Sequence, residues 1–295
     1  YVLANRDMGF LEEQITTYPI YREDLPQRSI KEILQVCYGH LLNATGTGKH
    51  GLMRLSNGDW NDGAVMGFVP PDQEEDVRIH GESVLNASFY SYVLDLYGTM
   101  LSYIGEEDLA SASRKVAEEQ KLAVREQWAG KWFKRQWLND SLGWIGEDVM
   151  WLEPQPWAII GGASTGAQTR ELVSSLNELL RDPSPIGAFL QSEKIESMSV
   201  PGGTLTNAGV WPSINGTLIW ALARVDKELG WEEWKKNTLA YHAEAYPEIW
   251  YGIWSGPDSY NSVISDYPGH TYISGENEDS GVLSGINWTD FPVLN

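Results

Sequence analysis

The side chains best suited to chemistry lie together in residues 56–63, which run Ser-Asn-Gly-Asp-Trp-Asn-Asp-Gly. The two glycines permit positive φ angles, and Asn and Asp tolerate tight turns, so this composition predicts a loop. A tryptophan beside carboxylates suits a sugar, because the indole can stack on the ring while a carboxyl group handles a proton. A turn in which Asp and Asn bond only their own backbone is the structural alternative.

Three later segments carry aromatic, amide, acidic or glycine residues in similar groupings. They are Gly81–Val84, which opens a predicted helix, Leu152–Gly162, which opens another, and Asn207–Trp211, which predicts a turn. Together with Gly58–Gly63, and in this order, they resemble the catalytic domain of glycoside hydrolase family 94, the cellobiose and chitobiose phosphorylases and their relatives. The resemblance extends from about residue 40 to about residue 290.

The resemblance assigns the central chemical role to Asp62, the last residue of the Trp60-Asn61-Asp62 triplet. It implies that the Asp62 carboxyl group, as general acid, protonates the glycosidic oxygen while inorganic phosphate attacks the anomeric carbon from the opposite face. The anomer inverts and a sugar phosphate leaves. Such an acid must stay protonated near neutral pH, so burial or a neighbouring carboxylate must raise its pKa. Asp59 is the expected neighbour, and a loop cap is its simpler structural interpretation.

The expected substrate-binding residues are aromatic, amide and acidic side chains at loops and helix ends. Trp60 is expected to stack on a sugar ring, or else to anchor the loop in the core. Glu82, at the start of a predicted helix, has a simpler interpretation as an acid favoured by the helix dipole. The full set is Asp59, Trp60, Asn61, Glu82, Gln155, Trp211 and Trp250.

Two glutamates, Glu244 and Glu248, are the remaining catalytic candidates. Glu244 lies where the family has a glutamate before a tyrosine in a substrate loop, and Glu248 follows it among aromatic residues. An inverting hydrolase needs a second carboxylate ~6.5–9.5 Å from its acid to activate water. Both glutamates are therefore candidate general bases, with a solvated helix end as the structural alternative for Glu248.

The predicted phosphate site departs from the family. The family's phosphate-binding histidine corresponds to Ser213, and its late Thr-Gly pair corresponds to Ser284-Gly285 or Ser274-Gly275. Loss of the cationic side chain weakens the site, because a dianion needs charge-assisted donors. Ser213, Ser284 and Gly285 are the predicted phosphate-binding residues, completed by a basic residue from elsewhere.

These observations predict an inverting, phosphorylase-like enzyme that cleaves β-linked gluco-oligosaccharides with one aspartate as general acid. Two alternatives stay open: an inverting hydrolase that uses water and a glutamate base, and a non-catalytic sugar-binding remnant. The expected ligand is an oligosaccharide, with inorganic phosphate as co-substrate and neither cofactor nor metal. The five histidines lack metal-binding spacing, and the single cysteine, Cys37, lies on a predicted apolar helix face.

The composition restricts the partners. The formal net charge is −20 and the isoelectric point is about 4.5. This charge excludes nucleic acid, whose phosphates need Lys and Arg, and argues against an anionic membrane surface. No apolar run approaches the ~20 residues that span a bilayer. The 14 Trp and 14 Tyr exceed what a core needs and supply platforms for sugar rings.

Apolar residues at helical spacing predict apolar inner helices that alternate with more polar outer ones, and Ser29 is the predicted N-cap of an early helix. No alternation of strands and helices supports a parallel sheet. The pattern fits a toroid of helical hairpins, and the resemblance implies an all-α (α/α)6 barrel. The predicted helices cover Ser29–Leu42, Glu82–Leu101, Asp108–Trp128, Pro156–Gly161, Thr169–Arg181, Gly216–Leu229 and Trp231–Ala245.

Residues 1–295 are expected to form a single catalytic domain. Residues 1–18 are expected to be the tail of a helical unit, and residues 132–137 a short strand or loop. We expect the first hairpins of the barrel to be missing. The expected protein partners are a second copy of the chain, in a homodimer, or a missing N-terminal portion. The lone cysteine fits a reducing compartment, so the expected location is the cytoplasm, with secretion or a periplasmic location as alternatives.

Overall fold

The computed structural model describes residues 1–17, 26–56, 58–249 and 257–271, with the backbone alone at Asp62 and Ala64. Helices form the framework of these residues, which confirms the all-α class. The helices are α1 (Val2–Asn5), α2 (Ile30–His40), α3 (Asp62–Met66), α4 (Glu74–His80), α5 (Val84–Tyr103), α6 (Glu107–Arg125), α7 (Pro154–Ile160), α8 (Gly166–Leu176), α9 (Pro212–Val225), α10 (Lys227–Lys236) and α11 (Leu239–Ala245). The strands are β1 (Gln14–Thr16), β2 (Gln27–Ser29), β3 (Glu82–Ser83), β4 (Gln136–Trp137) and β5 (Trp144–Ile145).

Successive helices form hairpins. A short turn joins α5 to α6, Asp226 alone joins α9 to α10, and the two helices of each pair pack closely. Since α7 contacts both α5 and α9, these three helices form an inner row, with α6 and α10 outside it. This is the predicted arrangement of inner and outer helices. None of the described helices combines the length and apolarity needed to cross a bilayer.

The burial pattern of α6 explains how it packs. Ala110, Ala117 and Val124 recur on one face and are fully buried, while most of the remaining α6 side chains are polar. Ala110 packs against Leu101 of α5, and Ala117 packs in a neighbouring cluster with Leu94 of α5. The main core continues through the other hairpins and includes Val84, Val124, Phe133, Leu152, Leu172 and Leu218.

The start of α2 confirms Ser29 as the N-cap. The Ser29 hydroxyl accepts the Glu32 backbone N–H at 3.2 Å, and the Glu32 carboxylate accepts the Ser29 backbone N–H at 2.8 Å. This reciprocal pair is a capping box, which satisfies two backbone donors at the helix end.

Two helix predictions are wrong. The predicted helix Trp231–Ala245 is divided into α10 and α11, because the Thr238 hydroxyl accepts the Tyr241 backbone N–H at 3.2 Å and starts a new helix. Within the predicted helical tail 1–18, the described residues 1–17 do not form one helix, since α1 spans four residues and is followed by a 3₁₀ turn and by β1. β1 pairs with β2 instead, so backbone pairing with a later segment replaces the predicted helix.

A small antiparallel sheet, with β4 between β3 and β5, supports the start of α5. Glu82, which the sequence places at the helix start, lies in β3, and the Ser83 hydroxyl caps α5 by accepting the Asn86 backbone N–H at 3.0 Å. The segment before β4 is tied to the same point, because the Arg135 carbonyl accepts the Val84 N–H at 3.2 Å. The sheet therefore carries Arg135 to the end of the inner row where the segment 58–61 lies.

Candidate active site

The predicted loop is present at residues 58–61, and α3 begins directly after it at Asp62. Two backbone groups tether the start of the loop. The Leu55 N–H donates to the Gly81 carbonyl at 2.7 Å, and the Gly58 carbonyl accepts from the Asn86 side-chain amide at 2.8 Å. The loop is thereby fastened to the first turn of α5, at the N-terminal end of the inner row.

The Asp59 carboxylate lies beneath this loop with no exposed surface. It accepts hydrogen bonds from both terminal NH₂ groups of Arg135, with Nη1 at 3.0 Å. It also accepts the Ser83 hydroxyl at 2.5 Å and the Asn61 backbone N–H at 3.0 Å. Burial opposes the charge of Asp59, but Arg135 and these hydrogen bonds hold its pKa below the usual range. Asp59 is therefore an ionised anchor that also caps the loop.

Asn61 joins the loop to a second buried carboxyl group, Glu153. The Asn61 side-chain amide donates to Glu153 Oε1 at 2.8 Å, and Arg135 Nε lies 3.6 Å from the same oxygen. Glu153 Oε2 has no hydrogen-bond partner among the described residues. Burial raises the pKa of Glu153 against the opposing effects of Arg135 and Asn61. Burial alone would lower the pKa of Arg135, but Asp59 and Glu153 raise it, so the guanidinium stays charged.

Sequence reasoning missed Arg135 and Glu153 as parts of the site. Arg135 lies in the aromatic segment 132–137, and Glu153 directly precedes Pro154 at the start of α7. A charged residue inside an aromatic run is a signal of a buried partner, but only the fold shows that the partner is Asp59. The pairing of β3 with β4 places the Arg135 segment beside Ser83, whose hydroxyl also bonds Asp59.

Trp60 and Trp211 come into contact, although they are far apart in the sequence. Their ring centroids are 4.9 Å apart and the rings are perpendicular. Trp60 is 41% exposed, whereas Trp211 is half-buried and donates its indole N–H to the Leu205 carbonyl at 2.7 Å. The edge contact leaves much of Trp60 open to a ligand, so the structure brings two of the predicted aromatic residues together at the loop.

A cleft of about 420 Å³ opens beside this loop. Its opposite wall is the segment from Ser197 to Val200, which sequence reasoning did not include, and this wall contributes serine hydroxyls that suit a polyhydroxylated ligand. A groove of about 470 Å³ between α2 and α5 is larger, but its lining is mainly apolar and tyrosine side chains. The residues that line the cleft are Trp60, Asn61, Gly63, Gly67, Ser197, Met198, Ser199, Val200 and Thr206.

Two predicted substrate-binding residues, Glu82 and Gln155, are fully buried. The Glu82 carboxylate accepts the backbone N–H groups of His50 and Leu52 at 3.0 and 3.1 Å, and a side chain at Gly48 would collide with it. Gln155 accepts the Phe133 N–H at 3.0 Å and donates to the Phe133 carbonyl at 2.8 Å. Both side chains are occupied in holding backbone segments around the loop.

None of the other predicted residues is among the described residues that line the cleft. Glu244, in the last turn of α11, and Glu248, in the turn that follows, are exposed. Ser213 is exposed in the first turn of α9, next but one to Trp211. Trp250, Ser284, Gly285 and the alternative pair Ser274-Gly275 lie outside the described residues.

The described helical hairpins, with a carboxylate-bearing loop beside a cleft that Trp60, Asn61 and serine side chains line, agree with the fold and site expected of a carbohydrate-active α/α toroid. Residues 1–225 match the model of the Glycosyl hydrolase 94 superfamily, catalytic domain. The chain belongs to this family, as the order of the motifs predicted, and the described hairpins agree with its (α/α)6 fold.

Three relatives are phosphorylases. Cellobionic acid phosphorylase of Neurospora crassa is 30% identical over 145 residues, which is 47% of this chain and 17% of the relative. The 3-O-β-D-glucopyranosyl-β-D-glucuronide phosphorylase of Paenibacillus borealis is 27% identical over 152 residues, which is 48% of this chain and 19% of the relative. Solabiose phosphorylase of the same organism is 25% identical over 231 residues, which is 74% of this chain and 27% of the relative. The chain therefore matches about a quarter or less of the length of these relatives.

Proposed function

We propose that the chain cleaves β-linked gluco-oligosaccharides by phosphorolysis, with Asp62 as the general acid. The observation that carries this proposal is that residues 58–63, which include Asp62, lie within the part of the chain that matches the catalytic domain of this family. The buried ion pair of Asp59 and Arg135 anchors the loop, and the loop opens onto a cleft that Trp60 and Asn61 line. What the three relatives have in common is phosphorolysis, which supports phosphate as the nucleophile.

In the proposed reaction, the Asp62 carboxyl group gives its proton to the glycosidic oxygen as the bond from that oxygen to the anomeric carbon breaks. A phosphate oxygen forms the new bond to the anomeric carbon from the opposite face, so a β-linked substrate yields an α-sugar phosphate. No second catalytic carboxylate is required. The proposed site therefore needs one acid, an aromatic platform and an anion site.

The first turn of α9 supports a phosphate site at Ser213. Trp211, the residue that precedes α9, makes no side-chain cap, so backbone N–H groups at this helix end remain for a ligand. The contact of Trp211 with Trp60 brings this helix end to the candidate loop. Ser213 supplies an N–H and a hydroxyl, and Ser284 and Gly285 remain the proposed additional donors.

Trp60→Ala is expected to raise KM for the oligosaccharide about tenfold, which corresponds to about 1.4 kcal/mol, with a smaller effect on kcat. The indole is exposed at the cleft, and its removal leaves the sugar ring without an aromatic face. Steady-state kinetics of Trp60→Ala are compared with those of the wild type and of Trp231→Ala. Trp231→Ala is the control, because it removes a tryptophan that is 53% exposed on α10. Equal KM values in both variants and the wild type would exclude Trp60 as the platform.

Product analysis tests the proposed function. The chain is incubated with cello- and sophoro-oligosaccharides, with and without inorganic phosphate, and sugar phosphate and free glucose are quantified. We expect sugar phosphate only when phosphate is present. Free glucose at the same rate without phosphate would establish hydrolysis and make Glu244 and Glu248 the candidates for the base. Sugar binding without turnover under either condition would instead indicate a binding module.

Three expectations beyond the reaction stay predictions. A homodimer, or association with an N-terminal portion, is tested by the molecular mass in solution. A cytoplasmic location and the absence of a cofactor are likewise not settled by the family.

A further inference from the structure

Glu153 differs from the other carboxyl group beneath the loop in how it is bonded. Its side chain has no exposed surface, Oε1 accepts the Asn61 amide at 2.8 Å, and Oε2 has no partner among the described residues. We propose that Glu153 is a positioning residue that holds Asn61, and through it the start of α3, as an uncharged carboxylic acid. The inference rests on the proposed function, because its effect on turnover acts through Asp62.

The geometry of Arg135 is the first argument for the uncharged form. Both terminal nitrogens of the guanidinium bond to Asp59, which balances its charge. Only Nε faces Glu153, at 3.6 Å, which exceeds hydrogen-bond distance, and Nε has no hydrogen-bond partner in the described structure. A negative charge on Glu153 would therefore lie in the interior with the guanidinium at ion-pair distance but with no cation hydrogen-bonded to it, which burial disfavours.

The groups around Glu153 act on its protonation in opposite directions, and burial is the largest of these effects. Asp59 and Asn61 face it from the loop, and Arg135 faces it from the segment before β4. Burial raises the pKa of Glu153, the Asp59 charge raises it further, and Arg135 and Asn61 oppose them. An ionised Glu153 would also compete with Asp59 for Arg135 and so loosen the loop that precedes Asp62. The neutral acid keeps its carbonyl oxygen for Asn61 and leaves the pair of Asp59 and Arg135 intact.

Thermal unfolding of Glu153→Gln between pH 5 and pH 8 tests the protonation state directly. In the unfolded chain the glutamate ionises near its ordinary pKa of 4.5, whereas burial raises that pKa in the folded protein, where the proposed form keeps the proton. The folded state then binds more protons than the unfolded state. The free energy of unfolding of the wild type therefore falls as pH rises above about 4.5, until the pH reaches the raised pKa of Glu153 in the folded protein. Gln carries no such proton. We expect Tm of Glu153→Gln minus Tm of the wild type to increase from pH 5 to pH 8.

Glu233→Gln is the matched control, because Glu233 is a buried carboxylate that is bonded to a cation. Its Oε2 accepts Arg181 Nε at 2.7 Å, and its Oε1 accepts the Ala188 N–H at 3.0 Å. Removal of its charge should lower Tm throughout the same pH range. If Glu153 were also a bonded carboxylate, Glu153→Gln would lower Tm in the same way, and that result would overturn the proposal.

Kinetics then test the positioning role. Glu153→Ala removes the acceptor of Asn61, so we expect kcat to fall at least tenfold with little change in KM. We expect Glu153→Gln, which keeps an acceptor oxygen, to recover most of that loss. The proposal would be contradicted if the wild type is active and Glu153→Gln and Glu153→Ala show equally reduced kcat. A wild type inactive on all oligosaccharides would instead contradict the proposed function, while the Tm comparison would still decide the state of Glu153.

Discussion

Asp62→Asn is expected to lower kcat by about 10²–10⁴-fold on a substrate whose leaving group is a sugar hydroxyl. The amide has nearly the shape of the carboxyl group but cannot give a proton to the glycosidic oxygen, so the bond must break to an alkoxide. The backbone of Asp62 begins α3, and asparagine is accepted at helix starts, so the fold should remain intact.

The control for this variant is Asp72→Asn, which changes an exposed aspartate in the turn before α4. It should have wild-type kinetics. For a substrate with an acidic leaving group, such as an aryl glucoside, Asp62→Asn should lower kcat less, because departure of this leaving group needs less protonation. A wild-type rate of Asp62→Asn on the poor leaving group would show that another residue is the acid.

Arg135→Met is expected to reduce the free energy of unfolding by about 3–5 kcal/mol, because Asp59 is left buried without its cation. The guanidinium and the Asp59 carboxylate have no exposed surface, so water cannot replace the lost partner. Urea unfolding at neutral pH gives the difference directly. Arg135→Lys should recover little, since one ammonium group cannot donate to both carboxylate oxygens in the same geometry.

The double variant Asp59→Asn/Arg135→Met separates the loss of the pair from the presence of an unpaired charge. We expect it to be more stable than Arg135→Met, because no charge remains in the interior. The pH dependence provides a second check. The pKa of Asp59 is lowered in the folded protein, so its stabilisation is present above the unfolded value of 3.8 and is lost as pH falls through the folded one. Single variants within about 1 kcal/mol of the wild type would contradict the anchoring role of the pair.

Local patterns predicted the parts of the fold that depend on nearby residues. Ser29 is a cap because Glu32 lies within one turn of it, and the polar residues of 108–128 predicted the outer helix that the structure shows as α6. The loop before Asp62 follows from its glycines and short polar residues. The order of such motifs was enough to identify the family, since each segment keeps its place relative to the helices.

The features that the sequence did not show depend on contacts between distant residues. The segments of Glu153 and Arg135 do not show which residues these side chains meet, and each acquires its role only when the sheet and α7 bring it beneath Asn61 and Asp59. Glu82 follows helix-start rules, yet pairing with Trp137 draws it into a strand. Periodicity and propensity describe local surroundings, so they do not reveal which buried charge meets which.

The anomeric configuration of the first product tests the central claim most directly. ¹H and ³¹P NMR would follow the reaction of a β-linked gluco-oligosaccharide with inorganic phosphate from its first minutes. We expect α-glucose 1-phosphate as the initial product, because phosphate attacks the anomeric carbon from the face opposite the leaving group that Asp62 protonates. Initial formation of the β-anomer, or of free glucose without any sugar phosphate, would contradict it.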